Sequence, residues 1–194
     1  MKKWMSVSAA ILCLPAFLAW RAQDEKKTAW EPGKEHQLLK QFDGDWEFKS
    51  RCTMPGQEVQ EGQGTDTSRF THGGFWLECE VKGTTTKGAM KGKDFSGEGF
   101  TGYDPEKKKY FGIWADSHSP FLGRFEGDAD STGKVFTFKW MKEEHKGGMP
   151  TPERMVHEIK DHDHRTLRFY GKDDSGKEQL WTEITFTRKP AMVK

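Results

Sequence analysis

The chain has 194 residues, a formal net charge of +1 and a mean hydropathy of −0.88. Its length suits one domain plus a leader, and its balanced charge excludes a broad basic surface for nucleic acid phosphates. The sequence contains 21 glycines and 13% aromatic residues but few leucines, so the composition favours strands over a helical bundle.

Residues 1–22 have the pattern of a secretory signal peptide. Lys2 and Lys3 precede a short run of apolar and small residues, and polar residues follow from Arg21. The run is too short for a comfortable membrane span, so we expect no integral span in the mature chain. We predict export to the periplasm or secretion, with an uncleaved N-terminal anchor as the alternative. Removing the leader changes the net charge to about −2, which again disfavours nucleic acid as a partner.

A linker and a short helix come next. Residues 23–33 are charged and end in a Pro-Gly pair, which predicts a linker. Residues 34–42 can form a short helix with Leu38 and Leu39 on one apolar face. The helix and the rest of the chain form one predicted domain, residues 34–190.

From Trp46 onward, apolar and polar residues alternate with a period of two. Trp46, Phe48 and Cys52 alternate with charged residues, which predicts a strand that is buried on one face. The same period recurs in later segments, which are separated by short turns rich in Gly, Asp and Pro. This spacing predicts an antiparallel meander of about eight to ten strands. The predicted fold is all-β, an antiparallel up-and-down barrel, because closure buries the apolar face.

Two other all-β architectures share the alternating pattern of apolar and polar residues. A two-sheet sandwich also buries one face of each sheet and is the runner-up. A transmembrane barrel is disfavoured, because the outward positions are Asp, Glu and Lys where a lipid-facing band would be apolar.

A short helix followed by Gly44 and Trp46 resembles the opening of the lipocalin-like, or calycin, barrels. In that superfamily the tryptophan closes one end of the barrel, and an arginine late in the last strand packs over its ring. Arg188 shares the predicted inward parity of Ile184 and Phe186. The resemblance therefore implies barrel closure by Trp46 and Arg188, through a cation–π contact worth roughly 0.5–2 kcal/mol. A glycine at the junction leaves room for the chain to turn from helix into strand.

A second resemblance covers roughly residues 34–190. It rests on the segments "GGFWLECEV", "FSGEGFTGYDPEKKKYFGIWADS", "FEGDADSTGKVFTF" and "LWTEITFTRK". These are similar to the bacterial domain-of-unknown-function 1579 family. The resemblance implies a fold and an exported context, and it transfers no catalytic residue.

The inward aromatic residues carry the functional hypothesis. If they line a cavity, the protein binds a small hydrophobic molecule; if they fill the barrel, it acts through its surface. We predict an exported, non-enzymatic binding protein that needs no cofactor. The predicted lining residues are Phe48, Phe75, Leu77, Phe111, Ile113, Phe136, Phe138, Trp140, His157, Phe169, Ile184 and Phe186.

Three alternatives remain open. A hydrolase or isomerase could use the same cavity, and inward polar groups within hydrogen-bonding reach of each other would favour that interpretation. An envelope interaction module would have a filled core. A haem-binding barrel would use one histidine, for which His157 is a candidate beside His72 and His118.

Several motifs have a simpler structural interpretation. The glycines of residues 97–102 have the spacing of a dinucleotide fingerprint, but no helix follows them. Residues 116–119 contain the letters of a hydrolase triad, yet neighbours on a strand point to opposite faces. His162 and His164 are weak metal candidates within a segment that predicts a solvated turn.

Cys52 and Cys79 both have inward parity. The default expectation is two buried free thiols, because two cysteines do not make a disulfide framework. A disulfide across the interior is the alternative.

Overall fold

The computed structural model of the protein describes residues 30–141 and 152–190. The chain divides into two compact units, Met1–Glu31 and Pro32–Lys194, and the fold below belongs to the second. The predicted leader and most of the predicted linker lie outside the described residues, so both stay predictions. None of the described helices is long and apolar enough to cross a bilayer.

The described chain forms a closed antiparallel barrel of ten strands with a short helix near its N-terminal end, which confirms the predicted fold. Each strand pairs with the next along the chain, and the first pairs with the tenth. The elements are helix α1 (Lys34–Leu39), a 3₁₀ turn (Lys40–Phe42), β1 (Gly44–Cys52), β2 (Gln60–Thr71), a second 3₁₀ turn (His72–Gly74), β3 (Trp76–Lys87), β4 (Asp94–Asp104), β5 (Lys109–Asp116), β6 (Ser119–Ala129), β7 (Val135–Trp140), β8 (Arg154–Ile159), β9 (His164–Lys172) and β10 (Glu178–Arg188).

The helix and its 3₁₀ extension cover one end of the barrel, which we call the capped end. Leu39 and Phe42 are almost completely buried there against Tyr110 and Phe136. The Tyr110 hydroxyl donates to the backbone oxygen of Glu35 at 2.9 Å. Apolar burial and a backbone anchor therefore fix the helix over the barrel mouth.

The seam between the first and last strands is antiparallel, with Trp46 opposite Arg188 and Phe48 opposite Phe186. Trp46 is 1% exposed, and its indole N–H donates to the backbone oxygen of Phe42 at 2.9 Å. The seam thus joins the strand ladder to the segment that caps the barrel.

The structure corrects the predicted face of β5. Tyr110 and Gly112 are buried on the inner face of this strand, whereas Ile113 is 39% exposed. Phe111 lies on the outer face, where its ring contacts that of Trp76 at 5.4 Å in an edge-to-face arrangement. Both faces of β5 carry apolar residues, so the alternation did not determine which face turns inward.

A second correction concerns β10. The pairing of β10 with β9 shifts register between Leu180 and Thr182, as at a β-bulge. One extra residue reverses the alternation of faces beyond that point. Trp181 is therefore only 7% exposed and packs over Gly171 of β9, while Leu180 is 39% exposed.

Candidate functional site

The interior of the barrel differs between its two ends. At the capped end, the inward side chains of Leu39, Phe42, Trp46, Tyr110 and Phe136 are at most 3% exposed. Toward the other end, which we call the open end, several inward apolar side chains are half-buried, while Phe125, Phe138, Met155 and Trp181 are buried. In a closed barrel, solvent reaches an inward side chain from the lumen. The half-buried inward residues of the open half are Val81, Phe95, Trp114, Trp140, Phe169 and Ile184.

The open half therefore has an apolar inner surface that keeps accessible area, and we call this half the cup from here on. Most predicted lining residues lie inside the barrel, either around the cup or in the packed layer beneath it. Three do not. Phe111 and Ile113 face outward, and Phe75 lies in the turn before β3, where its ring meets His36 of the helix at 5.3 Å. The predicted residues inside the barrel are Phe48, Leu77, Phe136, Phe138, Trp140, His157, Phe169, Ile184 and Phe186.

Large aromatic side chains lie flat on glycines of neighbouring strands in the cup wall. A Cβ atom at Gly97 would meet the ring of Trp114 at 2.3 Å, and one at Gly123 would meet the ring of Trp140 at 2.2 Å. A side chain at either position would displace the indole from the backbone. The rings consequently form the wall of the cup instead of filling its centre.

A buried ion pair crosses the interior beneath the cup. The Arg165 guanidinium donates from Nη2 to Oδ2 of Asp66 at 2.7 Å, and both side chains are at most 6% exposed. The Ser68 hydroxyl donates to Oδ1 of the same carboxylate at 2.6 Å. The guanidinium carbon also lies 4.1 Å from the Phe186 ring centre and 4.5 Å from that of Trp46. The pair joins β2 to β9 across the barrel and compensates each buried charge.

His157 of β8 completes this cluster. Nη1 of Arg165 donates to its Nε2 atom at 2.9 Å. Because arginine has only donors, Nε2 must accept, and the proton of the neutral imidazole lies on Nδ1. The ring also contacts Phe42, with centroids 4.5 Å apart. We call Asp66, Ser68, His157 and Arg165 the floor cluster.

Two titratable groups, His157 and Cys79, lie on the inner side of the barrel, and burial shifts the pKa of both. Burial, aided by the charge of Arg165, holds the pKa of His157 well below its usual value. Burial is the main cause, and the nearby charge of Asp66 the second cause, that raises the pKa of the Cys79 thiol to about 12. Both residues nevertheless keep some accessible surface. Strong desolvation with residual accessibility fits groups at the inner end of a cavity.

The capped end has a second arginine contact on Trp46. The Arg188 guanidinium carbon lies 4.0 Å from the indole centre. Its nitrogens donate to the backbone oxygens of Asp43 at 2.6 Å and His162 at 2.8 Å. A Cβ atom at Gly44, which has φ +138°, would lie 2.1 Å from this guanidinium. The arrangement is the one that the calycin resemblance implies.

Sequence reasoning missed Asp66, Ser68 and Arg165 of the floor cluster, although a signal was present. Arg165 has the same parity as Leu167 and Phe169, and Asp66 the same parity as Phe70. Charged residues at inward positions of two amphipathic strands indicate a buried pair, because an unpaired charge is too costly there.

The segment with the letters of a hydrolase triad and the histidines His162 and His164 lie outside the floor cluster. In the hairpin between β5 and β6, Asp116 accepts from the indole N–H of Trp114 at 2.9 Å and from the backbone of His118 at 2.8 Å. His162 and His164 each pair with a different aspartate, and the described residues contain no group of three metal-ligating side chains. Cys52 and Cys79 are free thiols.

A broad concavity of about 1200 Å³ is lined mainly by outward side chains, and the inward residues Phe48 and Phe95 also border it. Its polar lining comes from β10, β1, β2, β3 and the segments beside them, so it follows the twist of the sheet. Most of its lining side chains are exposed: Glu47, Lys49, Gln63, Thr65, Lys82, Thr84, Asp94, Ser96, Ser117, Thr185 and Thr187.

A family model described as "Protein of unknown function (DUF1579)" matches residues 31–188. The chain belongs to the DUF1579 family. A search of curated proteins finds no match to this DUF1579 chain.

Solved structures share the barrel of this DUF1579 protein at low sequence identity. The crystal structure of Rv2717c from M. tuberculosis has 13% identity and a TM-score of 0.60, and the match covers 82% of this chain and 99% of that one. The S-type phycobiliprotein lyase CPES from Guillardia theta has 12% identity and a TM-score of 0.53, with 80% and 92% covered. At these identities the similarity is one of fold alone.

Proposed function

We propose that this protein binds a small hydrophobic molecule in the cup, as an exported binding protein that needs no cofactor. The observation that carries the proposal is the accessible surface of inward apolar side chains in the open half, represented by Trp114, Trp140 and Phe169. Burying such surface against an apolar ligand contributes about 25 cal/mol per Å² before the costs of association. The leader predicted over residues 1–22 supplies the argument for export.

The floor cluster bears on the enzyme alternative. Polar groups do converge there, which was the criterion for a catalytic site. Each atom suited to act as a base already accepts a hydrogen bond, however: Asp66 accepts from Ser68 and Arg165, and Nε2 of His157 accepts from Arg165. Ser68 donates to a carboxylate and lies in no serine–histidine pair. The arrangement supports binding over acid–base or nucleophilic chemistry, although the lyase of similar fold shows that such barrels also occur in enzymes.

The same hydrogen bond bears on the haem alternative. A haem-binding histidine presents an unprotonated ring nitrogen to iron. In His157, Nε2 is occupied by the arginine donor and Nδ1 carries the proton. The geometry therefore favours an organic apolar ligand over iron coordination by His157.

A neutral fluorescent dye, N-phenyl-1-naphthylamine, tests the proposal with a matched pair of variants. Ile184 faces the cup and its neighbour Thr185 faces outward on the same strand. We expect Ile184→Trp to reduce dye affinity at least tenfold by occupying the lumen, and Thr185→Trp to leave it unchanged. Equal effects of the two variants, or no dye binding by the wild-type protein, would contradict binding in the cup.

Native mass spectrometry provides an independent test. Protein purified gently from its own host should carry an added mass that organic extraction removes. A protein that is free of any such mass, and also fails to bind the dye, would overturn the proposed function.

A further inference from the structure

The floor cluster has hydrogen-bond donors that no protein group accepts. Among the described residues, Nε of Arg165 is buried without a partner, and because it has almost no accessible surface it is closed to a ligand. The only hydrogen bond that the structure gives His157 within those residues is the one at Nε2, so its Nδ1–H is a second uncommitted donor. A buried donor without an acceptor destabilises the folded protein.

The carboxylate oxygens and the Nε2 atom of the cluster each already accept a hydrogen bond. Each carboxylate oxygen of Asp66 receives a hydrogen bond, one from Ser68 and one from Arg165. The Cys79 thiol points its hydrogen to the backbone oxygen of Gly99 at 3.6 Å. A ligand that reaches the floor therefore meets the Nδ1–H donor of His157, and the group complementary to it is an acceptor oxygen.

The charge balance of the floor narrows the class of acceptor further. The positive charge of Arg165 is matched by Asp66 at 2.7 Å, and the imidazole of His157 is neutral because its pKa is lowered by burial. The other nearby cation, Arg188, is partly exposed and lies near Asp163. A ligand carboxylate would add an uncompensated charge at a site of low dielectric, which costs several kcal/mol.

We infer that the floor of the cup recognises a neutral hydrogen-bond acceptor, such as the carbonyl of a ketone or an ester, at one end of an apolar ligand. This inference rests on the proposed function, because it assigns the orientation and head group of a ligand in the same cup. The aromatic wall contacts the apolar body, and Nδ1–H of His157 donates to the carbonyl oxygen.

Three compounds with the same nonyl tail test the head group: methyl nonyl ketone, decanoate and decylamine. Affinities are measured by displacement of the neutral dye and by quenching of tryptophan fluorescence. We expect the ketone to bind at least tenfold more tightly than either charged compound, because only the ketone matches the donor without adding charge. Decanoate binding as tightly as the ketone, or decylamine binding more tightly, would overturn the inference.

Substitutions at His157 test the donor itself. Gln in His157→Gln can accept from Arg165 through its carbonyl and donate through its amide, whereas Leu in His157→Leu can do neither. We expect a roughly tenfold loss of ketone affinity in His157→Leu and a change of less than about threefold in His157→Gln. An unchanged ketone preference in His157→Leu would contradict the assigned donor.

The outcomes separate the two proposals. If the dye binds and the head groups are not distinguished, the inference about the floor is wrong while binding in the cup stands. If neither the dye nor any of the three compounds binds, the proposed function is wrong as well.

Discussion

The two halves of the barrel are built from the same alternating pattern and the same aromatic residue types, yet their interiors differ. Phe136 at the capped end is fully buried, whereas Phe169 in the open half keeps accessible surface. The difference follows from the short segment that precedes β1. Leu39 and Phe42 fill the capped end, while no described element places apolar side chains across the open end. The segment before β1 therefore accounts for the packed core at the capped end.

The largest expected effect comes from breaking the floor cluster. Arg165→Leu leaves the buried carboxylate of Asp66 without its cation, and we expect a loss of about 3–5 kcal/mol in unfolding free energy by urea denaturation. The control is Arg168→Leu on the outer face of the same strand, where the ion pairs with Glu158 and Glu183 are partly exposed. That change should cost at most about 1 kcal/mol. Equal losses of unfolding free energy in Arg165→Leu and Arg168→Leu would contradict a larger contribution from the buried ion pair.

A pair of phenylalanine substitutions compares the two halves directly. Phe136→Ala removes a fully buried ring from the packed end and should cost about 3–5 kcal/mol. Phe169→Ala removes a ring that already borders accessible space, so it creates less new cavity and should cost about half as much or less. Both are measured by urea denaturation. Equal losses in the two variants would mean that the open half is as tightly packed as the capped end.

The closure of the capped end is tested by Arg188→Ala. This change removes the contact with Trp46 and the hydrogen bonds to the Asp43 and His162 backbones, at a cost of about 1–3 kcal/mol. We expect a lower melting temperature with unchanged dye affinity, because the cup lies at the other end. The control, Lys189→Ala, changes an exposed neighbour. An unaltered melting temperature in Arg188→Ala would contradict a role in closure.

The smallest expected effect is a pH dependence of stability due to His157. Its pKa is lowered in the folded protein and returns to about 6.5 on unfolding. Below pH 6.5 the unfolded state binds more protons, so stability falls as the pH falls. Between pH 7.5 and 5.5 this group should cost about 1 kcal/mol.

The comparison that isolates this effect is His157→Gln, which cannot titrate at that position. The wild-type protein should lose about 1 kcal/mol more than the variant over the same pH range, measured by urea denaturation at each pH. Identical pH profiles would mean that His157 is not held neutral by the fold.

The barrel was predictable from local rules, because strand alternation and short turns leave few ways to bury one face. The position of Arg188 opposite Trp46 was implied by the calycin resemblance, and the inward parity of Arg188 agrees with it. The face of β5 was not, because Phe111 and Ile113 compete with Tyr110 and Trp114 and no local rule ranks them. The inward position of Trp181 depends on a bulge that the alternation does not reveal.

The floor cluster was only partly predictable. Inward parity marked His157 as an interior residue, and the same rule applied to Asp66 and Arg165 would have placed two opposite charges in the lumen. Their contact is between strands far apart in the chain, so it depends on closure and stagger of the whole barrel. A sequence pattern indicates which side chains turn inward, and the geometry of closure decides which of them meet.

The glycines that lie against the tryptophan rings limit how wide the interior of such a barrel is. Each indole lies against bare backbone, so a single methyl group at Gly97 or Gly123 would lift the ring toward the barrel axis. The width of the barrel interior therefore depends on these glycines. Exchanges between glycine and alanine would resize the chamber in small steps, with the strands and their pairing left in place.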